Sequence, residues 1–399
     1  MTDTANEIYY DPYDFEIDND PYPLWRRMRD EMPVYYNEKY DFFALSRWED
    51  VEGGLKDHGR LISGKGSVLE IIKSGAEMPP GLLLFDDPPT HDVYRSLLAR
   101  VFTPKKMLAI EPQVRAFTAD CLDPYVGSEG FDFITDLGAK MPMRVIGMLL
   151  GIPEEDQQAL RDNIDDGLRL EEGAPTDRGA GALAANEGSF GEYLDWRAKN
   201  PSNDLMTELL NVEFEDHTGV TRKLRRDEIL TYTGLLAAAG NETTTKLIGW
   251  TGLTLGQHPD QRREVAANRD LVNQTIEEVL RFHAPSPVQA RYVAEDVEYH
   301  GTTIPQGSAM VLLNGSANRD QRKWGDNGDE FDVHRRIDHH LSFGYGLHFC
   351  LGAALARLEG RVALDEVLKR WTDWEVDIDN AQMARTSTVR GWDHLPITL

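Results

Sequence analysis

Residues Leu341–Leu358 read LSFGYGLHFCLGAALARL. Gly344, Gly346 and Gly352 flank one cysteine, Cys350, and an apolar, alanine-rich helical pattern starts just after it. A thiolate that binds iron must be deprotonated, shielded from water and able to accept backbone N–H bonds. A glycine-rich turn running into a helix N-terminus supplies such N–H groups and a favourable dipole. Phe343 is placed to wall the sulfur from solvent. The alternative is a tight turn with a packed cysteine. For the other cysteine, Cys121, in a helical-looking stretch, burial as a small apolar side chain is the reading.

Upstream, Asp227–Gln257 reads DEILTYTGLLAAAGNETTTKLIGWTGLTLGQ and stops before His258-Pro259. As one helix it would span roughly 45 Å, about a domain width. Glycine and three successive threonines are poor choices for a buried helix interior, and threonine hydroxyls can bond a carbonyl one turn back and bend the helix. Small residues at Ala238, Ala239 and Gly240 would let a flat ligand approach the backbone. Glu242 beside Thr243, with apolar flanks, suits proton delivery into a dry pocket. The alternative is an exposed helix whose polar residues face water.

Two further pairs share helix faces. Glu278 and Arg281 are three apart on an amphipathic pattern over Asp270–Phe282. Alone, they read as a surface ion pair worth little. His91 and Arg95 are four apart, after a plausible N-cap at Thr90. Alone, they read as solvated helix decoration.

Composition narrows the function classes. The 399 residues are 41% hydrophobic and 28% charged, an ordinary globular balance. A net charge of −26 argues against nucleic acid as a partner. The N-terminus shows no signal peptide, no stretch reads as a membrane span, and two cysteines make no disulfide framework. A cytoplasmic location is the expectation. Helical patterns are read over Pro21–Glu31, Thr90–Val101, Pro104–Val126, Asp136–Leu150, Glu154–Leu170, Asp177–Lys199, Asp227–Gln257, Pro259–Ala267, Asp270–Phe282 and Cys350–Arg370. Strand-like runs are Val34–Asn37, Phe42–Leu45, Arg291–Tyr299 and Met310–Asn314. The expected class is α+β, mostly α-helical, with small β-sheets. Leu61–Leu84 reads as a long irregular loop and Gly167–Phe190 as a hinge-like break.

Phe343, Gly346, Cys350 and Gly352 stand in the F-x-x-G-x-x-x-C-x-G arrangement of the haem loop of cytochrome P450 enzymes. The run Ala239-Gly240-Asn241-Glu242-Thr243-Thr244 resembles the oxygen-activation motif of the same family. The resemblance extends over nearly the whole chain and implies one P450 domain over 1–399, its long central helix lying over haem b, with no fused reductase. It implies Cys350 as the iron ligand and Glu242 and Thr243 as the catalytic proton relay. Ala239, Gly240, Phe343, Gly346 and Gly352 would border the haem. His91, Arg95, Arg291 and His348 would bond its propionates. Glu278, Arg281 and a downstream partner, Arg335 as the nearest candidate with His334 or Arg336 as alternatives, would form a structural cluster. By family position the substrate pocket draws on Val68, Leu69, Ile72, Leu83, Leu235, Ala238, Ala239, Pro287, Val288, Gln289, Thr388 and Val389, and the helices around Gly167–Phe190 form a mobile lid.

The implied activity is monooxygenation, with O2 as co-substrate, of a compact hydrophobic molecule such as a terpenoid, steroid or aromatic. A ferredoxin with its reductase would supply electrons, drawing indirectly on NAD(P)H. A basic patch of Arg95, Lys105, Arg357 and Arg361 would receive the acidic ferredoxin. A monomer is expected. The rival readings are a peroxide-using or nitric-oxide-reducing haem-thiolate enzyme, against which the Glu242-Thr243 pair argues, and a non-catalytic haem-binding sensor. A haem-free helical binding protein would need four motifs to fall in order by chance.

Overall fold

The longest helix, Arg226–Gln257, is the beam on which the rest is assembled. The computed structural model describes residues 8–78, 81–173, 186–386 and 388–399. The helix runs unbroken through its threonines because their hydroxyls stay at home. Thr233, Thr243, Thr245, Thr251 and Thr254 each donate to the carbonyl four residues earlier, at 2.6–3.0 Å. Poor helix formers are thereby tolerated inside a core, since these five threonine hydroxyls are each paired.

Glycines let neighbours close on this beam. A Cβ at Gly249 would come within 2.6 Å of Ile134, and one at Gly252 within 2.6 Å of Phe133. Both contacts belong to the turn of wide helix Phe133–Gly138. Helices Met141–Leu150, Asn186–Lys199, Val272–Phe282 and Ala353–Arg370 also pack on it. Their apolar faces merge into the main core.

The strands form small sheets to one side. The largest has five strands, in the order Val34–Asn37, Phe42–Leu45, Ala309–Leu312, Gln289–Val293, Leu61–Ile62. Its register sets Met310 opposite Arg291, which fixes that arginine on a buried strand. Among the described residues, no helix is long and apolar enough to cross a membrane.

The architecture is the expected α+β, mostly helical, and the differences lie at boundaries. Pro104–Val126 divides into Pro104–Ala109 and Glu111–Leu122. Pro112 has no N–H to continue the first helix and is tolerated in the first turn of the second. Asp136–Leu150 divides likewise before Pro142. Arg291–Tyr299 is two strands, Gln289–Val293 and Val297–Tyr299. The run from Met310 ends at Leu312, and Asn314 opens a short helix. The helix after the cysteine starts at Ala353. Leu61–Leu84 is less irregular than its glycines imply, for it holds strand Leu61–Ile62 and helix Leu69–Ser74. Half of the Gly167–Phe190 break, residues 174–185, lies outside the described residues.

Candidate active site

Cys350 sits between a tight turn and a helix. The turn is held by its own backbone N–H, which donates to Phe343 O at 2.8 Å. Gly344 and Gly346 adopt φ of 67° and 69°, where a side chain would be strained. A Cβ on Gly346 would also lie 3.1 Å from the carbonyl of Leu55. Past the cysteine, the Gly352 and Ala353 N–H groups point back at the sulfur. Cys350 is exposed to the cavity it faces; its depth in the protein raises the thiol pKa, and those N–H groups with Arg95 and Arg357 oppose the rise. Phe343 is buried beside it, under the Arg357 guanidinium at 4.6 Å.

The sulfur opens onto a cavity with about 270 Å³ of free space. Ala239, Gly240, Thr243 and Thr244 of the long helix form the opposite wall. Phe343, His348, Cys350 and Gly352 form the near one, and Leu83, Leu98, Phe102, Leu235 and Gln289 contribute around the sides. Behind Gly240, where a Cβ would meet Ile146 at 3.4 Å, helix Met141–Leu150 braces the wall.

One end of this cavity gathers cationic and donor groups with too few acceptors. His91 and His348 stack edge to face at 4.5 Å, and the buried Nε2 of each lacks a hydrogen-bond partner. Burial, Arg291 and His91 push the His348 pKa down to about 3. Burial lowers that of His91 as well. Arg291 is 3% exposed and bonds only Ala290 O and Gln289 Oε1, with no carboxylate in ion-pair range among the described residues. Burial pulls its pKa down to about 10. Arg95, half-buried, donates to Phe349 O. A buried donor without an acceptor costs about 1–3 kcal/mol. Such a set fits a ligand that brings carboxylates to this end of the cavity, as haem does.

Three comparisons bear on this geometry. The family model described as Cytochrome P450 matches residues 189–388. A putative cytochrome P450 123 of Mycobacterium tuberculosis is 40% identical over 98% of this chain and 97% of its own. A vitamin D(3) 25-hydroxylase of Pseudonocardia autotrophica is 32% identical over 100% of this chain and 98% of its own. Among solved structures, a cytochrome P450 from Chondromyces apiculatus superposes with a TM-score of 0.85 at 31% identity, covering 98% of this chain and 97% of that one. The chain belongs to the cytochrome P450 family. It is a bacterial-type P450 monooxygenase, an enzyme of haem and dioxygen that acts on small molecules with electrons from redox partners.

The P450 cavity wall differs in part from the sequence expectation. Leu83, Leu235, Ala239 and Gln289 line it; Val68, Leu69, Ile72, Ala238, Pro287, Val288, Thr388 and Val389 do not. Leu69 and Ile72 join a core cluster with Tyr10, Trp25 and Phe42, because Leu69–Ser74 is a helix whose apolar residues pack inward. Val68, Val288 and Thr388 border a narrow cleft at Tyr13, and Pro287 and Val389 another beside Asp18. Ala238 is half-buried on the flank of the long helix.

Glu242 is not on the wall either. It is buried and ion-paired with Lys246, its Oε1 2.9 Å from Nζ. Sequence reading passed over Lys246, although a glutamate and a lysine four apart share a helix face. It also passed over Glu359, a carboxylate in an alanine- and leucine-rich helix. Glu359 lines the cavity beside Thr244 and has no cation in ion-pair range among the described residues; burial raises its pKa well above the usual range, with only the Thr244 side chain opposing the rise.

The Glu278–Arg281 pair is fully buried rather than exposed. Arg281 binds both carboxylate oxygens at 2.7 Å, and Arg335 Nε reaches Oε1 at 3.1 Å. On the cysteine side of this P450, Arg357 is paired with Glu277 and Arg361 with Glu111. Lys105 is exposed, as are Lys106 and Arg336 nearby. Among the described residues these three have no carboxylate in ion-pair range. They flank a surface cleft lined by Pro104, Met107, Leu108 and Ile337.

Proposed function

We propose that this P450 inserts one oxygen atom of O2 into a compact hydrophobic molecule, using electrons from a ferredoxin. The carrying observation is the sulfur of Cys350 facing an apolar cavity across from Ala239–Thr244. Cys350 is the iron ligand, and Gly352 and Ala353 N–H groups temper its charge. His91, Arg95, Arg291 and His348 receive the propionates, a role supported by Arg291, a buried cation with no carboxylate in ion-pair range among the described residues, and by the unpartnered Nε2 of both histidines. Haem, once bound, supplies the activation of dioxygen.

The chain's own residues then handle water, substrate and protons. Thr243, hydroxyl held by Ala239 O at 2.9 Å, presents a polar group on the cavity wall opposite Cys350. Glu242 is the acid that serves it. Leu83, Leu98, Phe102 and Leu235 exclude water and favour an aliphatic or ring-fused substrate. Hydroxylation is the expected outcome, and the name of the vitamin D(3) relative is consistent with a sterol-like size.

NAD(P)H would feed the chain of electrons through a separate ferredoxin reductase. Three of the four cations expected to greet the ferredoxin are engaged within the chain, which moves the docking site to Lys105, Lys106 and Arg336. Charge there would set on-rate and salt dependence.

The test is the carbon monoxide difference spectrum of the dithionite-reduced protein. A Soret band at the long-wavelength position of a thiolate trans to carbon monoxide is expected. A band at the shorter, histidine-like position, or folded protein without haem, would overturn the assignment of Cys350. Turnover with peroxide but not with reductant and oxygen would replace the ferredoxin-dependent reading.

A further inference from the structure

Lys246 is 2% exposed, yet it carries three polar contacts. Its Nζ lies 2.9 Å from Glu242 Oε1, 3.1 Å from Trp392 O and 3.1 Å from Asp393 Oδ1. Those three partners account for the three ammonium protons. The C-terminal turn is shaped around the stem: a Cβ on Gly391 would come within 2.7 Å of Lys246 Cβ. One helical turn on, Trp250 Nε1 donates to Arg390 O at 2.8 Å and pins the same turn. At the outer end, the Asp393 side chain is 34% exposed, with Arg169 Nη2 at 3.9 Å from its second oxygen. His394, next along the strand, faces Asp132 instead. The line Glu242, Lys246, Asp393 therefore runs from the flank of the oxygen-side helix to solvent.

We propose that Lys246 is the positioning residue that refills Glu242 with protons from the Asp393 side; this rests on Glu242 being the relay acid. In the resting pair the carboxylate is charged and turned from the cavity. A proton leaves Lys246 Nζ for Glu242 Oε1, breaking one N–H bond and forming one O–H bond. The pair is then neutral, so the acid is released from its tether and swings to Thr243, where it gives up the proton. The amine regains a proton from Asp393, which draws one from water. The net transfer is one proton from solvent to the Thr243 side. A lysine can run this cycle because its pKa is tunable, whereas an arginine cannot shed its proton.

The experiment uses full-length holoenzyme with Lys246→Arg, Lys246→Met, Asp393→Asn and Glu242→Gln. The readout is coupling, the product formed per electron pair consumed, followed against pH and in deuterium oxide. Lys246→Arg keeps the charge and is expected to lose coupling about a hundredfold, the lower end of what placed proton transfer contributes. Asp393→Asn is expected to lose less. Because Arg is larger than Lys, Lys246→Met supplies a second reading independent of turnover. Without its cation Glu242 protonates, giving an infrared carboxylic-acid band that Lys246→Met/Glu242→Gln lacks. Normal coupling and pH profile in both Lys246 variants, with coupling lost in Glu242→Gln, would leave Glu242 as the acid and reduce Lys246 to a staple. Normal coupling in Glu242→Gln would overturn both assignments.

Discussion

Two buried, cation-rich clusters differ in one respect, how many of their donors are used. At Glu278, Arg281 and Arg335, Arg281 binds both carboxylate oxygens and the carbonyls of Asn318, Gly328 and Glu330. Arg335 adds Asn327 O and Glu330 O. At His91, His348 and Arg291 the one carboxylate in contact among the described residues is Asp92, 3.1 Å from His91 Nδ1, while Arg291 has none and the Nε2 of each ring has no hydrogen-bond partner. Burial is comparable, so hydrophobicity does not separate the two. Saturation does: a saturated cluster is a closed account that holds the fold, whereas unused donors mark where a ligand's own acceptors belong.

Cys350→Ala gives the largest expected effect and leaves both clusters intact. Oxygenation and the thiolate-type Soret band are lost completely, while the apoprotein melts as the wild type does. A variant that instead failed to fold would mean that the sulfur is a packing element. Next is Glu278→Ala, which strands two buried arginines and is expected to cost about 3–5 kcal/mol in chemical denaturation. A loss below ~1 kcal/mol would put this cluster in the same class as the other. Third is Arg291→Met. Removing a buried, unpaired cation leaves the apoprotein at least as stable, but haem transfers to an acceptor globin about tenfold faster, one charge-assisted bond being worth about 1.5–3 kcal/mol. Equal destabilisation of apo and holo forms would erase the contrast.

The two clusters were not equally legible in the sequence. Glu278 and Arg281 are three apart, and the spacing alone reads as a surface pair; only tertiary burial, beneath Asn318 and Gly328, makes it a fold element. The cysteine loop and the Ala239–Thr244 run were legible because their chemistry is local: glycines, one sulfur, an acid beside a hydroxyl. The cavity wall was not. Leu69 and Ile72 belong to a six-residue helix too short to show periodicity, with Val68 just before it, and its packing against the N-terminal aromatics decides where they point. Strands of two or three residues, such as Trp392–His394, carry no pattern at all, yet that one supplies the acceptors for Lys246. Lys246 itself was overshadowed by the threonines before it.

Glu359 is the reverse of the histidine end: on the same cavity, a buried carboxyl with no cation in ion-pair range among the described residues, the effect of its burial opposed by the Thr244 side chain alone. Burial raises its pKa well above that of an unfolded glutamate. Above roughly pH 4.5, the unfolded value, the folded chain therefore binds more protons than the unfolded chain. Stability contributed by the neutral carboxyl is present below that pH and declines as pH rises toward the folded value, by about 1.4 kcal/mol for each unit of separation. Glu359→Gln keeps the shape and cannot ionise. Its denaturation midpoint is expected to match the wild type at about pH 4 and to exceed it progressively toward pH 8, with the smallest effect on activity of the variants considered. An unchanged pH slope in Glu359→Gln would mean that a donor satisfies the carboxylate once haem and water fill the cavity. Glu359 would then be grouped with the saturated cluster, and an orphan carboxylate would be a weaker mark of a binding site than an orphan cation.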